Sequence, residues 1–339
     1  MIAERLTAQL LAGRPASDPV AVTERLLAVQ GQDARGVRLA IRSRTTGLSV
    51  TDVDRALSEE RALLITWLNR GTLHLVRSED YPWLLALSAP ARFRDNSRRL
   101  AQEGLAPRAA ERAVKVIEQS LAAEGPLTRR QLGERIGAAG VRTEGQALIQ
   151  LLALASYRGL AVRGPMIGGQ QAYALVRDWL GEQPRVDRDA ALAELARRYL
   201  LGHGPADERD LARWSGLPLR DVRVGLQAIA PQLTEREDGL LDLAGRPSPA
   251  RLPPPRLLGA FDPLLLGWCS REAILGAHRS VVTVNGVFRP FALVRGRAVA
   301  TWSVRNGEVV LEPFGQLARK DAQALAADGR DVVRYLAGT

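Results

Sequence analysis

Lysine is almost missing from this chain. Of its 47 basic residues only Lys115 and Lys320 are lysines, and the rest are arginines. A lysine amine able to form a Schiff base therefore has few places to come from. The single cysteine, Cys269, excludes an internal disulfide framework, and with the scattered histidines His74, His203 and His278 it offers no metal-ligand spacing. No metal and no cofactor is expected. No apolar run approaches the ~18 residues of a membrane span, and the opening MIAERLTAQL lacks the charged-then-apolar pattern of a secretory signal. A cytoplasmic protein is the expectation. A G-x-S-x-G elbow, a Walker loop, an H-E-x-x-H helix and a Cys/His pair are all absent from the sequence, which removes the chemistries they serve.

The chain has 339 residues, enough for two or more domains each with its own core. Hydrophobic residues at 46% and charged residues at 25% are ordinary for a globular protein. The charge balance is not: 47 Lys+Arg against 37 Asp+Glu leaves +10. A GC-rich genome produces an arginine bias by codon usage alone. A phosphate backbone is the other explanation, since the planar guanidinium fork suits phosphate and base edges better than an ammonium does.

An internal repeat organises the middle of the chain. Gly125-Pro126-Leu127-Thr128-Arg129-Arg130-Gln131-Leu132 returns as Gly204-Pro205-Ala206-Asp207-Glu208-Arg209-Asp210-Leu211. Repeats on this scale are duplicated supersecondary units. In the first copy Thr128 with Gln131 reads as a capping box, and Thr143 with Gln146 caps a second helix, ALIQLLALASYRGL. Two β-prone pieces, LAVRG and QAYALV, follow. The second copy gives two helices and a hairpin turning at Asp238-Gly239. Helix, turn, helix and two-stranded wing is the winged-helix plan. The N-terminal section reads as a third copy: Asp18 caps a helix PVAVTERLLAVQ with Pro19 at its first position, GVRLAIRSRT and VTDVDRAL are further helices, and LLITWLNRGTLHLV is a hairpin turning at Asn69-Arg70-Gly71. Helices over about 79 to 123 join it to the next unit. The Pro-rich RLPPPR marks a boundary near 250, beyond about 280 the pattern turns β with Asn-Gly turns at 285–286 and 306–307, and QLARKDAQALAADGRDVVRYLAG closes the chain as a helix.

One polar cluster stands out, Val29-Gln30-Gly31-Gln32-Asp33, expected at the end of an apolar-periodic helix. Glutamines at i and i+2 diverge on a helix but converge where it ends at a glycine. Two readings follow: polar residues satisfying loose helix-end carbonyls, or two amide oxygens holding one water.

The cluster Gln30-Gly31-Gln32, together with RGVRLAIRSR, WLNRGTLHLV, HGPADERDLARWSGL and LLGAFDPLLLGW, resembles the AlkZ-type winged-helix DNA glycosylases, a bacterial family of interstrand-crosslink and alkylpurine glycosylases. The resemblance runs from about residue 3 to 335. It implies three tandem winged helices and a C-terminal β-barrel around DNA. In that family a glutamine–any–glutamine motif, usually with an aliphatic middle residue, is catalytic, and it falls on Gln30 and Gln32. Here the middle residue is Gly31. A sister branch has aspartate for the second glutamine, so Asp33, one position later, is a further catalytic candidate.

The implied chemistry fits the residue types. A purine alkylated at N7 is cationic and already a good leaving group, so the enzyme has mainly to place a water at C1′ and stabilise developing oxocarbenium charge. With neither lysine near the motif, a monofunctional glycosylase without lyase activity is expected. DNA contacts are assigned to Arg35, Arg38 and Arg42, on one helix face at i, i+3 and i+7, and to Arg70 and His74 on the hairpin; a solvated face and a wing with a core side are the alternatives. Arg44 and the run ARFRDNSRR at 91–99 are basic as well. Trp302 and Phe261 read as core, and His278 and Cys269 as structural.

The expectation is thus an α+β fold, mainly helical, with three tandem winged-helix units and a C-terminal β-barrel-like domain. Its divisions are 1–88 with the catalytic motif, 89–183, 184–248 and 249–339. The expected function is hydrolysis of the N-glycosidic bond of alkylated purines in double-stranded DNA, by a nucleoid-associated monomer without contact to membranes. The rival is a non-catalytic winged-helix DNA-binding protein such as a transcription regulator.

Overall fold

The computed structural model describes residues 1–338. The protein is mixed α/β, with 50% of it helical. Two compact units share the chain. One combines Met1–Val53 with the stretch from Leu192 onward, and the other is Asp54–Ala191. No helix among the described residues is long and apolar enough to cross a membrane.

Local signals placed most of the elements. In the first unit, Asp18 caps the helix Pro19–Leu26 by accepting from the Ala21 backbone N–H at 2.7 Å. That helix is shorter than its apolar periodicity suggests. Leu27 takes φ 64°, which stops the helix, and Val29–Gln30 runs extended before the next helix, Ala34–Arg42. Further on come the helices Glu208–Ser215 and Leu219–Ala228 and a hairpin pairing Leu233–Glu235 with Leu241–Leu243.

A four-stranded sheet follows in the order Glu308–Pro313, Arg297–Arg305, Phe291–Val294, Arg256–Leu258. Asn306 and Gly307 both take positive φ, as a tight two-residue hairpin turn requires. The sheet is open, with the first and last of these strands as edges, so the expected barrel does not close. The reason lies at 281–290. The stretch expected to form two more strands around Asn285-Gly286 makes only an isolated bridge, Val282 to Phe288. The closing helix Arg319–Ala337 packs Leu325 and Val332 with Leu257, Ala292, Trp302 and, from the motif helix, Leu39. Trp302 belongs to the core as expected, its indole N–H donating to the Leu258 carbonyl.

In the second unit, Thr128 and Gln131 form the anticipated capping box at the start of Arg129–Ala138. The next helix starts at Ala147, where the ALIQLLALASYRGL reading placed it, but it ends at Tyr157 and has no side-chain cap. The hairpins Leu63–Leu68/Thr72–Arg77 and Ala161–Ile167/Gln170–Leu175 are not separate wings. They join through Ile65 and Arg163 into one sheet. Its core includes Trp67, Ile117, Leu151 and Tyr173.

Candidate active site

The two glutamines sit on a strand-to-helix passage, not on a helix end. The strand ends at Gln30 and the chain bends at Gln32, and this brings the pair together. The Gln30 amide N–H donates to Gln32 Oε1 at 2.5 Å. Gln30 is 6% exposed, whereas Gln32 is solvent-exposed. Gln30 Oε1 is buried and has no hydrogen-bond partner in the protein. A buried carbonyl oxygen left without a donor costs roughly 1–3 kcal/mol, so such atoms are normally paired with protein or water. One neutral acceptor is thus held in place beside a second that faces solvent.

Asp33 follows the pair directly. Its Oδ1 accepts from the Gly36 backbone N–H and caps the helix Ala34–Arg42. The cap fixes the chain immediately after Gln32. Gly36 itself lies against the loop that follows Arg256–Leu258: a methyl group there would stand 2.3 Å from the Ala260 carbonyl oxygen, and one on Gly259 2.9 Å from Leu39 Cβ. Only glycines permit this approach.

The far end of the motif helix is anchored by charge. Arg44 and Asp262 form an ion pair at 2.8 Å, both side chains 0% exposed. The Arg44 guanidinium also donates to the Gln9 backbone and side-chain oxygens, the Ala40 carbonyl and Ser43 Oγ. Asp262 in turn accepts from the Leu264 N–H.

The arginine stripe expected at 35, 38 and 42 is not a stripe of open cations. Arg35 is exposed. Arg38 is buried and donates to the Ala34 carbonyl at 2.9 Å. Arg42 is buried between Asp328 and Asp331, at 2.7 and 2.6 Å. Burial works against its charge, but the two carboxylates outweigh it and raise the Arg42 pKa. With two acids on one guanidinium, Arg42 ties the motif helix to the closing helix and is not offered to phosphate. Tyr335 makes a second tie, its hydroxyl donating to the Arg38 carbonyl.

In the other unit, Arg70 is half-buried at the hairpin turn. His74 is buried with Nδ1 donating to the Thr72 carbonyl at 2.9 Å. Burial first, and then the charge of Arg70, pulls the His74 pKa down to about 3. His74 is therefore a neutral imidazole at physiological pH, not a cationic phosphate ligand. Cys269 is exposed, and His278 stacks on Phe314.

Four residues escaped sequence reasoning as parts of this site: Gly36, Gly259, Arg44 and Asp262. Asp262-Pro263 carried a usable signal, a capping residue followed by proline at the first helical position. The partnership of Arg44 with a residue 218 positions away carried none.

Residues 23–335 match the family described as DNA glycosylase AlkZ-like. The chain belongs to this family. A curated relative, the interstrand DNA cross-link repair glycosylase of Streptomyces sahachiroi, is 28% identical over 367 residues, covering 98% of this chain and 95% of the relative. The solved structure of the Streptomyces sahachiroi DNA glycosylase AlkZ superposes with a TM-score of 0.78 at 25% identity, over 98% of this chain and 95% of that one.

Proposed function

We propose that this AlkZ-like glycosylase hydrolyses the N-glycosidic bond of N7-alkylated purines in duplex DNA, including bulky or cross-linked adducts, and leaves an abasic site. The observation that carries the reading is the Gln30 carbonyl oxygen, buried and unpartnered beside the exposed Gln32 amide. A water donating one proton to Gln30 Oε1 and another to Gln32 Oε1 has its lone pairs free for C1′. The same two dipoles stabilise positive charge developing on the sugar. The leaving purine is already cationic, so no strong acid is required, and two neutral amides suffice. Asp33 keeps its carboxylate on the Gly36 N–H and serves as a positioning residue. The relative's cross-link activity fits a reaction that acts on each alkylated purine separately.

Binding rests on arginine charge and on helix pairs of the winged-helix kind, with Arg35 and Arg70 as phosphate contacts. Hydrolysis by water in place of an amine makes the enzyme monofunctional. A duplex carrying one N7-methylguanine tests this. Free base should be released, strand cleavage should require alkali or heat, and borohydride should trap no protein–DNA adduct. Binding without base release would favour a non-catalytic DNA-binding protein, and a trapped adduct would exclude hydrolysis by water.

A further inference from the structure

Phe261 reads as a core residue in the sequence, yet the structure gives it an environment that packing does not explain. Its φ is 56°, in the left-handed region that bulky side chains rarely occupy. Its side chain is only half-buried. Holding a phenylalanine there is unfavourable and persists only where the surroundings impose it. They do so on both sides. Gly259 and Ala260 are pressed against the first turn of the motif helix at Gly36, and Asp262 is locked to the fully buried Arg44. The strained residue is thus fixed to the helix whose N-terminal approach carries Gln30 and Gln32.

What the strain presents is an aromatic surface. The Phe261 ring lies 5.5 Å from that of Phe288, tilted by 43°. The Arg271 guanidinium sits over the Phe288 ring at 5.0 Å and is held by a hydrogen bond from its Nε to the Leu265 carbonyl. Phe288 is buried, so Phe261 is the member of this series that faces outward. An aromatic face attracts flat cations through its quadrupole, and a purine alkylated at N7 is a flat cation.

We infer that Phe261, backed by Phe288, is the platform on which the alkylated purine stacks as its nucleotide is presented to Gln30 and Gln32, and that it selects cationic over neutral bases. This rests on the glycosylase reading above and adds the residue that senses the adduct's charge.

The test uses full-length protein with Phe261→Leu, Phe261→Trp and Phe261→Gly. Two measurements are made on each: single-turnover excision of N7-methylguanine, and affinity for a duplex carrying 2′-fluoro-N7-methylguanosine relative to one carrying 2′-fluoroguanosine. The 2′-fluorine disfavours oxocarbenium formation, so binding is read without turnover. Stacking on one aromatic side chain predicts that leucine, of similar bulk but without a π face, loses about ten- to a hundredfold in both excision and preference for the charged base. Tryptophan should keep both within about threefold, given the same stacking face. Glycine suits φ 56° and should fold while losing as much as leucine.

Wild-type excision and preference retained in Phe261→Leu would overturn the inference while leaving the glycosylase reading intact. A Phe261→Trp variant as impaired as Phe261→Leu would also overturn it, since only packing volume would then matter. Wild-type protein that neither excises nor prefers the charged duplex would remove both readings.

Discussion

Replacing Arg44 by methionine removes the guanidinium and leaves a fully buried Asp262 carboxylate without its counter-charge. Ion pairs at such depth offer little net stability against an apolar pair of the same volume, but breaking one by removing a single partner costs about 3–5 kcal/mol. Arg44 lies at the upper end, because it also loses bonds to Gln9, Ala40 and Ser43. Against a total stability of about 5–15 kcal/mol for a typical domain, such a loss is a large fraction.

Adding Asp262→Asn should return part of it, of order 1–3 kcal/mol, because the buried charge disappears while the amide oxygen still accepts from the Leu264 N–H. Guanidinium unfolding curves of the wild type, both single variants and the double variant complete the cycle. A cost for Arg44→Met below about 1 kcal/mol, or a double variant no more stable than Arg44→Met, would refute the argument that this pair anchors the motif helix.

Three further outcomes follow from the same geometry. Asp33→Asn should leave excision near wild type, since asparagine caps helices equally well, whereas Asp33→Ala should lose about 1 kcal/mol in thermal melts; a rate collapse in Asp33→Asn would move the general base there. Arg35→Ala should weaken duplex binding and reduce the log–log salt slope by about 1, while Arg42→Met should leave the slope unchanged and lower the melting temperature; equal slope changes would restore the arginine stripe. Burial first holds both His74 and His203 near a pKa of about 3, against 6.5 when unfolded. The unfolded chain therefore binds protons that the folded chain does not, and stability falls as pH drops from about 6.5 toward 3, by about 1 kcal/mol per unit for each histidine; melts that stay flat between pH 7.5 and 5.5 would contradict this.

What the sequence disclosed was what local chemistry decides. Asp18 and the Thr128/Gln131 box cap the helices they were expected to cap, and the Asn69–Gly71 and Asn306-Gly307 turns close their hairpins. The glutamine pair was legible as a motif, but its geometry was not. A two-residue extended segment is too short for periodicity to distinguish from the helix before it, and a leucine at φ 64° gives no sign of ending that helix. Spacing reports a helix face and not its partners, so the pairing of Arg42 with Asp328, 286 residues later, was out of reach. The fused sheet has the same origin, resting on Ile65 opposite Arg163. Phe261 reads as core because composition cannot register backbone strain; its side chain is half-buried at φ 56°.

The most direct test of the account compares single-turnover excision of N7-methylguanine by wild type, Gln30→Met, Gln32→Ala and the double variant, with duplex affinity and melting temperature measured on the same samples. Each single variant should lose about 10²–10³ in rate, the size of one lost preorganised polar contact. Because both amides act on one water, the double variant should be little worse than the poorer single variant. Gln30→Met should also melt within a few degrees of wild type, as it removes a carbonyl oxygen with no protein partner and one hydrogen bond to an exposed side chain. Wild-type rates in both single variants, or rate losses that merely track unfolding, would contradict the claim that Gln30 and Gln32 hold the attacking water.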